Sequence, residues 1–501
     1  MLLSRLGALL PFAAHLALAR PAIDPAPQIV LSSIDPAPLT AQDLADDITS
    51  LWPTDGDGTG TGHLSQWSNE TKVEFLNELR NNTANDWLVV MGNEAGDLDS
   101  MVSAMALAYA FSHMDPPQKA IALLQTEEDA LDLRPENQLS LTYARMSTGH
   151  RDLLTIDELP INPTDMWHRI KGKLIYRCGL GVNDWLTAVA PQASLSSTTT
   201  FRERSGKTPP SSVDHHDDQG LANGTANPRI IRSSGSCSSL VTKFLFDNVP
   251  GADKEKNDPP PSDSQVGPTM HGPIPTELIE LLLRTIAIDT NGLRGKSSQP
   301  IDMESALRLF PRSSWKRREL KEVMKVLDKD LSASRKALDS LDLRSLLRRD
   351  WKGDAIPTKS SKYPHLHIGF ASSPVSLEEQ ILRTPEQTPP EWFAWTSEIQ
   401  ADVSVALSNF RHPKTGRKTR QLALVVAHGY GKRLHEGSAN RLFRQLKHAI
   451  ESAGVDDLDH WHRPDGKKLL PRRAVYEYES PFASRKFWRP IIEKAAREWD
   501  G

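Results

Sequence analysis

The feature that most constrains the fold is a short apolar run that leads into an acidic, glycine-containing loop and then into a long apolar helical pattern. These three segments occupy residues 87–91, 92–99 and 100–111. Further apolar runs and a second helical pattern follow at residues 120–124, 173–176, 229–231 and 236–247. Strands that alternate with helices are typical of a parallel sheet with helices on both faces. We therefore predict an α/β protein with a doubly wound, mostly parallel sheet.

The first strand of this predicted sheet ends beside two aspartates, Asp97 and Asp99. Open α/β sheets bind ligands at the carboxyl ends of their strands, so this loop is a candidate site. Two carboxylates at positions i and i+2 can reach neighbouring hard cations, because carboxylate oxygens suit Mg²⁺ and Mn²⁺. An Asp-x-Asp pair in a loop is also typical of an N-cap or a turn. The pair therefore needs partners before it indicates a metal site.

Two further segments carry side chains that suit a metal or a phosphate. Residues 213–217 read Val-Asp-His-His-Asp, in which His215 could ligate a metal and His216 could contact a phosphate, although a solvated turn is the alternative. Asp289 ends an apolar helical run over residues 278–288. The helix dipole disfavours an acid at that position, and this local conflict favours a functional role.

Composition narrows the classes of function. The chain has 60 Lys and Arg against 64 Asp and Glu, a formal net charge of -4. This balance argues against a globally basic nucleic-acid binder, although a local patch could still hold a polyanion. No apolar run of about 18–20 residues interrupts the body of the chain, which excludes a polytopic membrane protein. We expect that the chain does not bind a nucleic-acid duplex and that it has no membrane-spanning segment.

The first 19 residues are typical of a signal peptide. Arg5 precedes an apolar stretch over residues 6–18, and residues 17–19 have the small-x-small form that precedes cleavage. The alternative is a disordered, Leu- and Ala-rich leader on a cytosolic protein. The signal predicts the secretory pathway or the vacuole as the location, and the alternative predicts the cytoplasm.

Taken in order, the three motifs resemble the DHH phosphoesterase superfamily, in the branch that carries a C-terminal DHHA2 domain. This branch contains family II inorganic pyrophosphatases, exopolyphosphatases and prune-like proteins. Two more segments before residue 310 are similar to the family, an acidic turn at residues 157–159 and a small-residue helix start at residues 235–239. After residue 320 the similar segments are an Asp-x-Lys motif at residues 350–352, the strand after it at residues 368–373, and a Ser-Arg-Lys signature at residues 484–486 with Pro490.

The resemblance implies a domain order for the chain. A signal peptide over residues 1–19 would precede a leader with a Pro-rich segment and a first helix. A catalytic DHH domain would follow, with two surface insertions, and then a smaller α/β DHHA2 domain that binds substrate. The implied bounds are residues 20–85 for the leader, 86–310 for the DHH domain with insertions near 194–212 and 250–273, and 320–498 for the DHHA2 domain.

Two positions refine the resemblance. Family II pyrophosphatases carry a histidine ligand four residues before the first aspartate of the pair, whereas this chain has Asn93, as exopolyphosphatases and prune-like proteins do. The family also places a metal-bridging aspartate before the histidine motif, where this chain offers Asn183 or, after a one-residue shift, Asp184. A neutral amide at that position would compensate the repulsion between two dications less well, so the second metal would bind weakly and activity would be reduced or absent.

The resemblance implies hydrolysis of phosphoanhydride bonds by a water activated between two divalent cations, Mg²⁺ or Mn²⁺. The implied metal ligands are Asn93, Asp97, Asp99, Asp184, His215 and Asp289. The implied catalytic residues are His216 at the transferred phosphoryl group, and Lys352, Arg485 and Lys486 as cations that neutralise the substrate.

We expect an exopolyphosphatase that releases orthophosphate from the end of inorganic polyphosphate. One alternative is an inorganic pyrophosphatase or a prune-like hydrolase of short polyphosphates or cyclic nucleotides. An alternative of another class is a catalytically weakened relative that binds polyphosphate or a protein.

Overall fold

The computed structural model describes most of the chain after residue 60. The described residues are 39–40, 60–93, 95–147, 149–162, 170, 173–177, 212–215, 229–253, 273–383, 395–396, 398–428, 434–462, 466 and 468–501. The predictions for the signal-like segment, for Asn183 and Asp184, and for His216 lie outside the described residues.

The first part of the chain is built on a four-stranded parallel sheet. The strand order is β3-β2-β1-β4, in which β1, β2 and β4 follow the apolar runs predicted at residues 87–91, 120–124 and 173–176, while β3 follows none of the predicted runs. A separate parallel pair, β5 and β6, completes this part. The strands are β1 (Leu88–Met91), β2 (Ala120–Leu124), β3 (Leu154–Thr155), β4 (Lys173–Arg177), β5 (Ser212–Asp214) and β6 (Arg229–Ile231).

Seven α-helices are described in this first part. They are α1 (His63–Arg80), α2 (Leu98–His113), α3 (Pro135–Tyr143), α4 (Cys237–Asn248), α5 (Thr276–Asp289), α6 (Pro300–Leu309) and α7 (Leu320–Ser334). Helix α2 begins two residues before the predicted pattern, because the Asp97 side chain caps its first turn.

Helices cover both faces of the parallel sheet. Leu88 and Val90 of β1 belong to one apolar cluster, which includes most of α2, α4 and α5. Val89 and Met91 alternate with them and belong to a second cluster, which includes Phe75 of α1. Because successive strand residues point to opposite faces, both faces of β1 are buried. The predicted doubly wound α/β arrangement is confirmed.

The second part is built on a six-stranded mixed sheet of order β11-β12-β10-β9-β8-β7. Only the β8–β9 pair is parallel among its described neighbours. The strands are β7 (Trp351–Pro357), β8 (His365–Ser373), β9 (Val403–Arg411), β10 (Lys418–Val426), β11 (Asp459–His460) and β12 (Arg473–Tyr478). The helices are α8 (Leu343–Arg349), α9 (Leu377–Leu382), α10 (Glu436–Glu451) and α11 (Arg485–Arg497).

We call residues 60–334 the parallel-sheet region and residues 343–501 the mixed-sheet region. The mixed-sheet region has its own apolar cluster, in which Leu442 and Leu446 of α10 and Trp488 of α11 pack against the sheet. The domain bounds inferred from the sequence stay a prediction. A search of the described residues found no helix with the length and apolar character needed to span a membrane.

Candidate active site

The loop between β1 and α2 is organised by Asn93 and Asp97. The Asp97 Oδ1 atom accepts a hydrogen bond from the Ser100 backbone N–H at 2.9 Å, and its Oδ2 atom accepts one from Asn93 Nδ2 at 3.2 Å. The Asn93 Oδ1 atom accepts the Ala95 N–H at 3.0 Å. The N-cap alternative therefore describes Asp97 correctly. It leaves room for a ligand role, because each carboxylate oxygen has two lone pairs.

Gly96 fits this loop for a steric reason. Its φ is +56°, a left-handed conformation that favours glycine. A Cβ atom there would lie 2.0 Å from the Thr126 Oγ1 atom. The tight approach keeps the loop against the residues that follow β2.

Asp97 lies close to two cations. Desolvation raises the pKa of Asp97, but the positive charges of Arg134 and Lys352, with hydrogen bonds from Ser100 and Asn93, outweigh it and lower the pKa to about 2. Lys352 is the second residue of β7 and is buried. The structure therefore brings this predicted cation of the mixed-sheet region to the acidic loop of the parallel-sheet region.

The start of α4 binds the Asp99 carboxylate. Asp99 is buried and accepts hydrogen bonds from Ser236 Oγ, the Cys237 N–H, the Ser238 N–H and Ser238 Oγ, at 2.7 to 2.9 Å. The positive end of the helix dipole adds to these bonds. Small side chains at residues 235–239 let the helix end approach the carboxylate this closely.

His215 presents one ring nitrogen to the same cluster. Its Nδ1 atom lies 3.2 Å from the Ser234 carbonyl oxygen, and its Nε2 atom lies 3.8 Å from Asp99 Oδ2. Because a carbonyl can only accept, this hydrogen bond needs the proton on Nδ1, and in the neutral form of the ring Nε2 then carries the lone pair that a metal ligand needs.

Asp289 is the third carboxylate of the cluster and the last residue of α5. Its Oδ2 atom is buried and accepts no hydrogen bond from any described residue. Burial raises the pKa of Asp289 well above its usual range, and the negative charges of Asp99 and Asp97 raise it further. The buried Oδ2 atom of Asp289 has no hydrogen-bond donor among the described residues and lies near two further carboxylates, so its surroundings lack positive charge. A divalent cation would supply that charge, so the residues fit a metal.

The predicted ligand set is only partly assembled. Within the described ranges, no group of three or more His, Cys, Asp or Glu side chains stands in metal-holding geometry. The start of α4 gives three hydrogen bonds to Asp99 Oδ1 and one, from the Cys237 N–H, to Oδ2, so Oδ2 keeps a lone pair for a metal. Asp184 lies outside the described residues.

The two other predicted cations differ in their surroundings. Arg485 begins α11, and its Nη1 atom lies 3.2 Å from Asp350 Oδ1 and donates to the Asp350 carbonyl oxygen at 3.3 Å. Asp350 is two residues before Lys352, so Arg485 lies near the same strand start. Lys486 is exposed, and no contact among the described residues joins it to the carboxylates.

Sequence reasoning missed Arg134, a buried cation at the start of α3. Its Nε atom donates to the Ala95 carbonyl oxygen at 2.8 Å, and one Nη atom donates to the Arg349 carbonyl oxygen at 2.8 Å. The sequence Arg-Pro-Glu at residues 134–136 is typical of a solvated helix start, so no local signal marked it.

The acidic turn at residues 157–159 supports local structure away from this cluster. Glu158 accepts a hydrogen bond from Lys72 Nζ at 2.6 Å. Asp157 Oδ1 accepts one from the Glu128 backbone N–H at 3.1 Å.

One curated protein is similar to the chain over about half of its length. The chain is 26% identical over 280 residues to a protein of Schizosaccharomyces pombe (strain 972 / ATCC 24843) described as "Putative exopolyphosphatase". The aligned part covers 56% of this chain and 63% of that protein, which is less than two thirds of the relative. No protein-family model matches the chain. The similarity confirms the predicted resemblance to exopolyphosphatases.

Two solved structures are also similar, both at low identity. The first is titled "Crystal structure of Methanococcus jannaschii putative family II inorganic pyrophosphatase", with 16% identity, a TM-score of 0.43, and coverage of 82% of this chain and 99% of that chain. The second is the DHH domain of a member of a family of ribosomal proteins, with 9% identity, a TM-score of 0.27, and coverage of 92% of this chain and 98% of that chain. Both TM-scores are below 0.5, so the function proposed below does not rest on either structure.

Proposed function

We propose that this chain, which is similar to a curated protein described as "Putative exopolyphosphatase", hydrolyses phosphoanhydride bonds with divalent cations. Inorganic polyphosphate is the proposed substrate, and orthophosphate is the proposed product released from its end. The similarity to a protein described as "Putative exopolyphosphatase" supports this substrate class.

One observation carries the proposal. The negative charges of Asp97 and Asp99 act on the buried Asp289, and the positive charge of Lys352, from the other region, acts on Asp97. Carboxylates that lack positive charge suit cations, and a nearby lysine suits the phosphate groups that such cations bind. This pairing of charges fits an anionic substrate held against metals.

The proposed roles divide between the two regions. Asp97, Asp99, Asp289 and His215 would hold the metals, with Asn93 and, outside the described residues, Asp184 as further ligands. Bound Mg²⁺ or Mn²⁺ would polarise the phosphoryl group and promote deprotonation of the attacking water. Asn93 orients Asp97 through its Nδ2 hydrogen bond.

Substrate binding falls to the cations of the mixed-sheet region. Lys352 would neutralise phosphate oxygens beside Asp97, and Arg485 would bind further oxygens through its guanidinium. Lys486 would contribute charge at the exposed edge of the site. His216 keeps its proposed role, contact with the transferred phosphoryl group and proton donation to the leaving oxygen.

The test is phosphate release by the full chain. Long-chain polyphosphate, tripolyphosphate, pyrophosphate and a cyclic nucleotide are compared with Mg²⁺ or Mn²⁺ present. We expect the fastest release from long-chain polyphosphate. Asp97→Asn should lower the rate by at least about 10²-fold, since it removes charge stabilisation at the reacting group. Asp157→Asn serves as the control, because Asp157 is exposed and, among the described residues, accepts hydrogen bonds only from the Glu128 backbone N–H.

Each result selects between the alternatives. Faster release from pyrophosphate than from polyphosphate would favour the pyrophosphatase alternative. Equal rates for wild type and Asp97→Asn would contradict the metal-site assignment. No release from any substrate would favour a binding role for the chain.

A further inference from the structure

Arg134 binds three acceptors that belong to different parts of the molecule. Besides Ala95 O and Arg349 O, its third acceptor is Glu136, whose Oε1 atom lies 3.4 Å from Nη1. Arg134 is 7% exposed and Glu136 is 2% exposed. A planar guanidinium with fixed donor directions can set the relative position of such acceptors.

The first of these acceptors belongs to the loop that carries Asp97. Arg134 binds the carbonyl of Ala95, and Asn137 Nδ2 binds the carbonyl of Gly96 at 2.8 Å. These are the two residues immediately before Asp97. The first turn of α3 therefore holds consecutive peptide groups next to a proposed metal ligand.

The second acceptor belongs to the segment that carries the substrate cations. Arg349 ends α8, and its Nη2 atom lies 2.8 Å from the same Glu136 Oε1 atom. The next residue, Asp350, lies 4.0 Å from Arg134 Nη2 and 3.2 Å from Arg485 Nη1. One continuous set of polar contacts thus runs from the Asp97 loop to Arg485.

A buried ion cluster of this kind is weak evidence for stability. The cost of removing charges from water offsets much of their attraction, so apolar residues of equal size often stabilise a fold as well. What the cluster provides is a defined register between the parts it joins. We propose that Arg134 is a positioning residue, which fixes the Asp97 loop relative to the segment of Asp350 and Lys352. Asn137 supports this role through its hydrogen bond to the same loop. The proposal rests on the proposed function for its metal and phosphate, and on contacts in the structure for its geometry.

Charge and positioning predict opposite effects on metal affinity. The Arg134 cation lies near Asp97 and repels a metal there, so the loss of its charge alone would strengthen metal binding. The loss of its hold on the loop would weaken metal binding. The sign of the change therefore separates the two roles.

The experiment is a calorimetric titration of the full chain with Mn²⁺ alone. Arg134→Gln should weaken Mn²⁺ binding by about 10–100-fold, as loss of a group that orients a metal ligand typically does. Arg134→Lys keeps the charge and loses the fork, so binding should also weaken. Asn137→Ala changes no charge, and we expect it to weaken Mn²⁺ binding as well, but by a smaller factor.

Two variants serve as controls. Lys352→Met removes a positive charge near Asp97 without touching the loop, and Mn²⁺ binding should stay equal or tighten. Arg348→Gln removes another contact between the regions, because Arg348 pairs with Glu127 and Asp129, and Mn²⁺ binding should stay unchanged. Circular dichroism identifies any variant that fails to fold, and Arg134→Lys and Asn137→Ala then decide.

The results separate this inference from the proposed function. If Arg134→Gln binds Mn²⁺ as tightly as the wild type or more tightly, the positioning role is overturned, even if the wild type releases phosphate. If Arg134→Gln does not fold, the same result in Arg134→Lys and Asn137→Ala overturns it. If the wild type releases no phosphate but Arg134→Gln binds Mn²⁺ more weakly than the wild type does, the positioning role is supported and the hydrolase is rejected. A wild type that binds no Mn²⁺ overturns both. Phosphate release should show a lower kcat for Arg134→Lys with partial rescue relative to Arg134→Gln.

Discussion

The two regions contribute to the candidate site in different ways. In the parallel-sheet region, Asp97, Asp99 and Asp289 come from a loop and the helix ends that border it, and the partners of Asp99 lie within the same region. In the mixed-sheet region, Lys352 lies at a strand start. Its position relative to the carboxylates depends on contacts between regions, such as the bond from Arg134 to Arg349. The acidic half is therefore organised locally, and the basic half by docking.

The largest effect should come from Asp289→Asn in the acidic half. Phosphate release should fall by at least about 10²-fold, because a ligand charge at the reacting centre is lost. The melting temperature of the metal-free protein should rise by a few degrees, since a repulsive buried charge with an unpaired oxygen is removed. Calorimetric melts of metal-free protein measure this.

Asp302→Asn is the matched control for that variant. Asp302 is fully buried, but its oxygens accept hydrogen bonds from the Gly235 N–H at 2.8 Å and from Ser239 Oγ at 2.6 Å. Its loss should lower the melting temperature. A fall of equal size in both variants would show that Asp289 is a structural acid.

The next effect tests the basic half through Lys352→Met. Loss of a charge-assisted hydrogen bond to phosphate should raise KM by about 10–100-fold, while Mn²⁺ affinity does not fall. Steady-state kinetics beside Mn²⁺ titration measure both quantities. Lys447→Met is the control, because Lys447 pairs with Glu451 on α10 and should leave KM unchanged. A loss of Mn²⁺ affinity in Lys352→Met would contradict the assignment of metal binding to the parallel-sheet region and of substrate binding to the mixed-sheet region.

Gly96→Ala perturbs the acidic loop without a change in charge. A left-handed φ and a Cβ contact of 2.0 Å with Thr126 should together cost at least about 1–2 kcal/mol of unfolding free energy. Gly416→Ala is the matched control, since Gly416 has φ +68° and no atom within 4 Å of the position that a Cβ atom would take. Denaturant unfolding of both variants isolates the contact with Thr126. Equal losses would mean that the close approach does not constrain the loop.

The smallest effect is expected at the surface between the regions. Arg348 pairs with Glu127 and Asp129, and both acids are more than half exposed. Arg348→Gln should lower the unfolding free energy by less than about 1 kcal/mol, because water screens such pairs. Urea unfolding measures it. A loss of several kcal/mol would mean that exposed contacts, and not the buried Arg134 cluster, hold the regions together.

Local patterns predicted much of the parallel-sheet region. The strand at residues 120–124 and the acid at the end of α5 follow from short apolar runs, because buried parallel strands are nearly continuous in apolar residues. Asp97 and Asp99 were found because they follow such a strand directly. For most of the mixed-sheet region, only the motifs shared with the family predict structure, at residues 350–352, 368–373 and 484–486.

Arg134 could not be found in this way. Its acceptor in Arg349 lies 215 residues further along the chain, and only tertiary packing turns a polar helix start into a buried cluster. The donors to Asp99 are an intermediate case, since the small residues at 235–239 predict a helix start but not the carboxylate that this helix start binds. The roles of Asp184 and His216 stay predictions.

The Asp99 contacts have a consequence for how the chain is made. Asp99 and Ser238 are 139 residues apart in sequence, and the Arg134 bond to Arg349 spans a longer interval still. A nascent chain that ends before α4 holds Asp99 without its four donors, and one that ends before α8 holds the Asp97 loop without its link to the mixed-sheet region. Truncated products would thus carry the acidic motif without the contacts that assemble the candidate site, so the site forms only in chains synthesised past both segments.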